Sequence, residues 1–178
     1  MSREHAQLRH KSRILDGIRR IVVKIGSSVL SGGGGVHKAR IAQLVTDLSV
    51  LRAAGTEIVL VTSGAVAAGM SELNMKERPR TIPAKQAAAA VGQITLMALY
   101  EESFSAQHIR VGQILLTHDD LANRKRYLNA KHTMLTLIEA GVLPIVNEND
   151  TVAVEEIQFG DNDNLSAQVA VLIEADLL

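Results

Sequence analysis

The chain has no cysteine and no tryptophan, 3 prolines, and only two residues each of tyrosine and phenylalanine. Without cysteine there is no disulfide scaffold and no thiolate metal site, which agrees with a reducing, cytoplasmic setting. With so few aromatics, the core must be built from Val, Ile, Leu and many Ala, and such small side chains suit helices lying close on a sheet. One sign of charge is not in excess: 19 Lys and Arg balance 19 Asp and Glu. No basic field therefore points to nucleic acid. No apolar run is long enough to span a membrane. The opening "MSREHAQLRHKSRILDGIRR" lacks the apolar stretch of a secretory signal, and Glu4 and Asp16 argue against a transit peptide. Residues 1–20 read as a polar extension, with Leu8, Leu15 and Ile18 resting on the body.

The 178 residues are enough for one domain with a real core. Strand-length apolar runs alternate with helical patterns. Ile21 to Ile25 reads as a buried strand, and Ile41, Leu44, Val45, Leu48 and Leu51 then recur at helical spacing until Gly55. Glu57 to Thr62 is a second strand. A helix beginning at Pro83 is apolar almost all round, the pattern of a buried helix. "IRVGQILLT" is a third strand. Thr117 and Asp120 have capping-box spacing, Tyr127 to Ala140 is helical up to Gly141, and "VLPIVN" is a fourth strand. Asp163 or Asn164 is positioned to cap a last helix running to Ala175. Four strand–helix alternations imply an α/β fold with a mostly parallel sheet and helices on both faces. Leu177 and Leu178 read as the first residues of another buried strand.

Ligands of parallel α/β sheets bind beyond the carboxyl ends of the strands. Here the segments after the strands are "KIGSSVLSGGGG", "TSGAVAAG", "THDD" and "NENDTVAVEEIQFGDNDN", three of them rich in Gly, Ser, Asn and Asp. The first fits neither a Walker loop, whose Lys follows the last Gly, nor a G-x-G-x-x-G turn. Two readings fit Lys24: a lysine snorkelling from a strand end, or a fixed cation beside the amides of Gly26, Ser27 and Ser28 that receives phosphate. Gly32 to Gly35 fit a wrap around the same phosphate or, more simply, a flexible hairpin tip. Ser63 fits an N-cap before a helix, and Ser63–Gly64 also fits an anion-facing helix start. Asp150, Asp161 and Asp163 stand with Asn147, Asn149, Asn162 and Asn164 in one connection, more than caps and Asx-turns require. "DNDNLS" lacks the Gly and the distant Glu of a calcium loop. His108, His118 and His132 have no metal-ligand spacing and read as surface residues, so no protein metal site is expected.

Taken in order, "VVKIGSSVL", "IVLVTSGAVAAG", "KQAAAAVGQ", "ILLTHDD", "RYLNA", "LPIVNENDTVA" and "FGDNDNLSA" resemble the amino acid kinase family from about Ile21 to the end. The pair "NEND" and "GDNDN" resembles the branch acting on glutamate rather than those acting on acetylglutamate, aspartate or nucleotides. The resemblance implies a three-layer α/β/α sandwich and ATP-dependent phosphorylation of the γ-carboxylate of L-glutamate to L-glutamyl 5-phosphate, the first step of proline biosynthesis. It also implies Mg²⁺, homo-oligomerisation and feedback inhibition by L-proline. By resemblance, Lys24 is the catalytic lysine, and it binds the ATP phosphate together with Gly26 and Ser27. Ser63, Gly64, Asp150 and Asn162 bind substrate, and Asp161 and Asp163 are the acidic pair that organises the catalytic lysines. The attacking carboxylate, with an ordinary pKa of about 4.3, is already ionised at neutral pH and needs no general base. In the family, the strand begun by Leu177 leads to most of the nucleotide site and to a second phosphate-binding lysine. Residues 21–178 are therefore expected to hold the glutamate part and to show little activity alone. Two alternatives are the kinase part of a bifunctional pyrroline-carboxylate synthase and a non-catalytic glutamate- or proline-binding module.

Overall fold

The computed structural model describes residues 17–32, 35–153 and 161–178. Most of the expected extension, Gly33, Gly34 and the middle of the acidic connection lie outside the described residues.

Six strands and seven helices are described. In chain order they are β1 (Arg20–Ile25), α1 (Ser27–Leu30), β2 (Ser31–Gly32), β3 (Gly35–Val36), α2 (Lys38–Ala53), β4 (Glu57–Thr62), α3 (Ala65–Glu72), α4 (Ile82–Ser105), β5 (Arg110–Leu116), α5 (His118–Ala122), α6 (Arg124–Glu139), β6 (Val142–Glu148) and α7 (Asp161–Leu172). Four strands form one sheet in the order β1-β4-β6-β5, and every pair in it is parallel. All four carboxyl ends therefore lie along one edge. β1 and β4 run in register from Arg20↔Glu57 to Ile25↔Thr62. The glycine run spans a small antiparallel hairpin, in which Ser31 pairs with Val36 and Gly32 with Gly35.

Successive strand residues point to opposite faces, which makes two cores. Ile21, Ile58, Leu60, Leu143 and Ile145 pack on one face with Ile41, Val45 and Leu48 of α2 and Leu96, Tyr100 and Phe104 of α4. Val22, Val59, Val61 and Val146 pack on the other with Met134 of α6 and Leu165, Val169 and Leu172 of α7. The result is the three-layer α/β/α arrangement, and Ile18 rests against the first core as expected.

The expected elements recur with small shifts. Glu57–Thr62 is a strand, Gly55 turns at φ 93° after α2, and Thr117 and Asp120 form a reciprocal capping box. Two readings change. The long helix α4 is not buried all round: its outer flank includes Ala87, Ala90 and Ala98, and Ile94 is 75% exposed. Alanine is common there because it favours helix, not because it must be buried. The last helix starts at Asp161, so Asp163 and Asn164 lie inside its first turn rather than capping it.

Helices α3 and α4 cross with their backbones in contact. A methyl group on Gly69 would fall 1.7 Å from the carbonyl oxygen of Ala88, and one on Gly92 would fall 1.9 Å from that of Ala65. Only glycine fits either position, and the crossing fixes the start of α3 at the functional edge of the sheet. At the other edge, Leu177 forms a parallel bridge with Ile21 on the free side of β1, and Val22 donates its N–H to the Leu177 carbonyl at 2.9 Å. The pairing expected of Leu177 is seen, but not the burial: Leu177 is 44% and Leu178 55% exposed. Asp176 secures the pairing by accepting the N–H groups of Arg19 and Arg20, both at 2.8 Å.

Candidate functional site

The carboxyl ends of β1 and β4 lie side by side, and α7 returns its first turn to them. Lys24 lies opposite Val61, and the N–H of Ser63 donates to the Ile25 carbonyl at 3.1 Å. The Lys24 ammonium donates to Asp163 Oδ1 at 2.5 Å, with the lysine side chain 29% exposed and the aspartate 66%. One residue earlier on α7, Asn162 Nδ2 donates to Ser63 Oγ at 2.9 Å. Two adjacent residues of the "GDNDN" segment thus engage two neighbouring strand ends. The contact is long in sequence, since Asn162 is 99 residues from Ser63.

Asn162 Oδ1 is buried and has no hydrogen-bond partner among the described residues. A buried acceptor left unmet costs about 1–3 kcal/mol. Gly26 stands beside the Lys24 ammonium, with room for ordinary contacts. A methyl group there would stand 3.6 Å from Lys24 Nζ and 3.9 Å from Ser28 Oγ. Ser27 opens the short turn α1, and the first N–H groups of any helix have no acceptor within it. A cation beside such amides is a chemically suitable receiver for a phosphate.

Ser63 does not cap α3. The N-cap is Gly64, in the left-handed region at φ 105°, without a side-chain cap. The positive φ belongs to the glycine, and Ser63 Oγ is engaged by Asn162 instead. Asp150 lies in the turn after β6, at the same edge of the sheet. Asp161 opens α7, but its side chain lies outside the described residues.

The remainder of the edge is tied down from α4. The buried hydroxyls of Thr62 and Tyr100 lie 2.9 Å apart. Burial pushes the Tyr100 hydroxyl up to about 12, against a smaller opposing effect of the Thr62 hydrogen bond. Gln93 Oε1 accepts from Asn147 Nδ2 at 2.7 Å, and Gln86 Nε2 donates to the Ala153 carbonyl at 3.1 Å. The sequence reading missed Gln86 and Gln93 as site residues. Their signal was present: Gln86, Gln93 and Tyr100 recur every seventh residue of an alanine-rich helix, on one face.

Among the described residues no three His, Asp or Glu side chains group to hold a metal ion. No described helix is long and apolar enough to cross a membrane. His108 and His132 are exposed or partly so, and His118 is partly buried.

The parallel sheet, its covering helices and the Lys–Asp and Ser–Asn pairs at the strand ends define a class. Residues 19–178 match the amino acid kinase family, and the chain belongs to it. Within that family it is similar to particular proteins. It is 55% identical over 169 residues to glutamate 5-kinase of Geobacter sp. strain M21, covering 94% of this chain and 45% of that protein. It is 57% identical over 167 residues to glutamate 5-kinase of Carboxydothermus hydrogenoformans, covering 93% and 45%. It is 54% identical over 160 residues to glutamate 5-kinase of Thermus thermophilus, covering 90% and 43%. The chain therefore spans somewhat less than half the length of these curated relatives.

Proposed function

We propose that this chain carries the acidic-amino-acid part of a kinase that transfers the γ-phosphoryl group of ATP to the γ-carboxylate of L-glutamate. The product is L-glutamyl 5-phosphate, which commits glutamate to proline biosynthesis. The observation that carries the reading is the convergence of Lys24–Asp163 and Ser63–Asn162 at two neighbouring strand ends, with the Asn162 Oδ1 acceptor left open among the described residues.

In this reading the substrate carboxylate is the nucleophile and is already ionised at neutral pH, so proton abstraction is not the obstacle. The obstacle is bringing one anion to another. Lys24 meets it with fixed positive charge, and the amides after Gly26 and Ser27 add oriented N–H groups to the transferring phosphate. Asp163 holds the lysine in place, and Asp161 is assigned with it to the organising acidic pair. Asn162 Oδ1 and Asp150 receive the substrate ammonium, and Ser63 and Gly64 are assigned to the same substrate site. Mg²⁺ neutralises nucleotide phosphate charge when bound and is taken to arrive with ATP. Cytoplasmic location, self-association and inhibition by L-proline belong to the same reading.

The test is acyl-phosphate formation in the natural full-length protein, trapped with hydroxylamine. Trapped product that requires both ATP and L-glutamate supports the reading. ATP hydrolysis without trapped product, or equal trapping with L-aspartate, overturns it. If L-glutamate and L-proline bind but no phosphoryl transfer occurs, the non-catalytic binding module replaces it.

A further inference from the structure

The "KQAAAAVGQ" segment has no part in the chemistry just described, yet its two glutamines reach the functional edge of the sheet. Gln86 and Gln93 lie one heptad apart on α4, so they project from the same face. Gln93 Oε1 accepts from Asn147 Nδ2 at 2.7 Å, and Asn147 is only 2% exposed at the end of β6. Gln86 Nε2 donates to the Ala153 carbonyl at 3.1 Å. Between these two anchors runs the turn that carries Asp150. It has its own internal bonds: Val152 and Ala153 donate their N–H groups to the Asn149 carbonyl, and Asn149 donates to that of Leu116. Gly92, next to Gln93, is the residue at which α4 meets α3. The helix that meets α3 beside Ser63 therefore also grips both ends of the Asp150 turn.

We propose that Gln86 and Gln93 form a two-point clamp that positions the turn from Asn147 to Ala153, and through it Asp150. They are positioning residues, not catalytic ones. Gln93 acts through the Asn147 amide, whose orientation it selects by offering an acceptor. Gln86 acts through the backbone at Ala153. The consequence for glutamate binding rests on the function proposed above, but the clamp itself does not.

The experiment is amide hydrogen exchange on the full-length protein carrying Gln86→Met, Gln93→Met, Asn147→Ala, or Gln93→Met with Asn147→Ala. Each single change should speed exchange at Asn149, Val152 and Ala153 about tenfold, the effect of roughly one lost hydrogen bond on a local opening. Exchange in β4 and the unfolding midpoint should stay near their unsubstituted values. Gln86 lies near the start of α4, so its variant keeps the test open if the Gln93 variant fails to fold. Adding Gln93→Met to Asn147→Ala should change the turn no further, because one residue acts through the other. The L-glutamate KM should rise in the single variants while the ATP KM does not. Unchanged turn exchange in a folded Gln86→Met protein, or additive effects at Gln93 and Asn147, would overturn the clamp. Faster turn exchange in a protein that never binds L-glutamate would uphold the clamp and remove the glutamate reading instead.

Discussion

At the scale of single residues, one pair at the strand ends leaves a polar atom unsatisfied. Asn162 donates to Ser63 and keeps a carbonyl oxygen unmet among the described residues. Asn162→Leu should therefore weaken L-glutamate binding by roughly 2–4 kcal/mol if that oxygen receives the substrate ammonium, with a folding cost of about 1 kcal/mol for the lost Ser63 bond. Calorimetric titration checks it, and an unchanged affinity would remove Asn162 from the site. Tyr100 gives a test that needs no substrate. Its hydroxyl is held protonated up to about 12, against an ordinary value near 10. The unfolded chain loses this proton first, so the stability is fully present below pH 10 and is lost as pH rises from 10 towards 12. The loss is about 2–3 kcal/mol as an order of magnitude. Tyr100→Phe should flatten that alkaline decline in urea unfolding while costing roughly 1 kcal/mol at neutral pH.

At the scale of elements, much was legible because the signals are local. Alternating apolar runs marked the four strands, and the Thr117–Asp120 spacing marked a capping box that forms as read. What was not legible depends on partners far along the chain. Ser63 has the local features of an N-cap, but Gly64 takes that position and Ser63 turns to Asn162, 99 residues away. The heptad spacing of Gln86, Gln93 and Tyr100 is visible in the sequence, but not that Gln93 meets Asn147 across 54 residues. Of the candidate residues, the association of Lys24 with Asp163 was implied by the family resemblance, but the contact between Ser63 and Asn162 was not. The α3–α4 crossing makes a sharper demand. Gly92→Ala would drive a methyl group into backbone, so it should cost about 3 kcal/mol or more and shift the start of α3. Gly112→Ala is the control: its methyl would meet the Leu137 side-chain tips at 3.2 Å and a Val142 methyl at 3.4 Å, and these can give way. Urea midpoints at constant slope should separate the two, and equal costs would contradict the close crossing.

At the scale of the whole molecule, the sheet brings three kinds of sequence to one edge: the lysine and glycine turn after β1, the Ser-Gly turn after β4 and the acidic connection after β6. The opposite edge is closed by Asp176, whose carboxyl is held below the ordinary aspartate range chiefly by the N–H groups of Arg20 and Arg19. Its contribution to stability is present above the ordinary aspartate value and is lost as pH falls through the depressed one. Asp176→Asn should therefore reduce the acid sensitivity of unfolding, and an unchanged acid limb would show that the β1 edge does not depend on this carboxylate. The central claim concerns charge brought to a transferring phosphoryl group, and Lys24 carries it. The most direct measurement is steady-state kinetics of Lys24→Ala in the natural full-length protein, with L-glutamate varied at saturating ATP. A charge that acts mainly in the transition state predicts a fall in kcat on the order of 10²-fold or more with little change in the glutamate KM. A raised KM with kcat unchanged would make Lys24 a substrate holder and contradict the account.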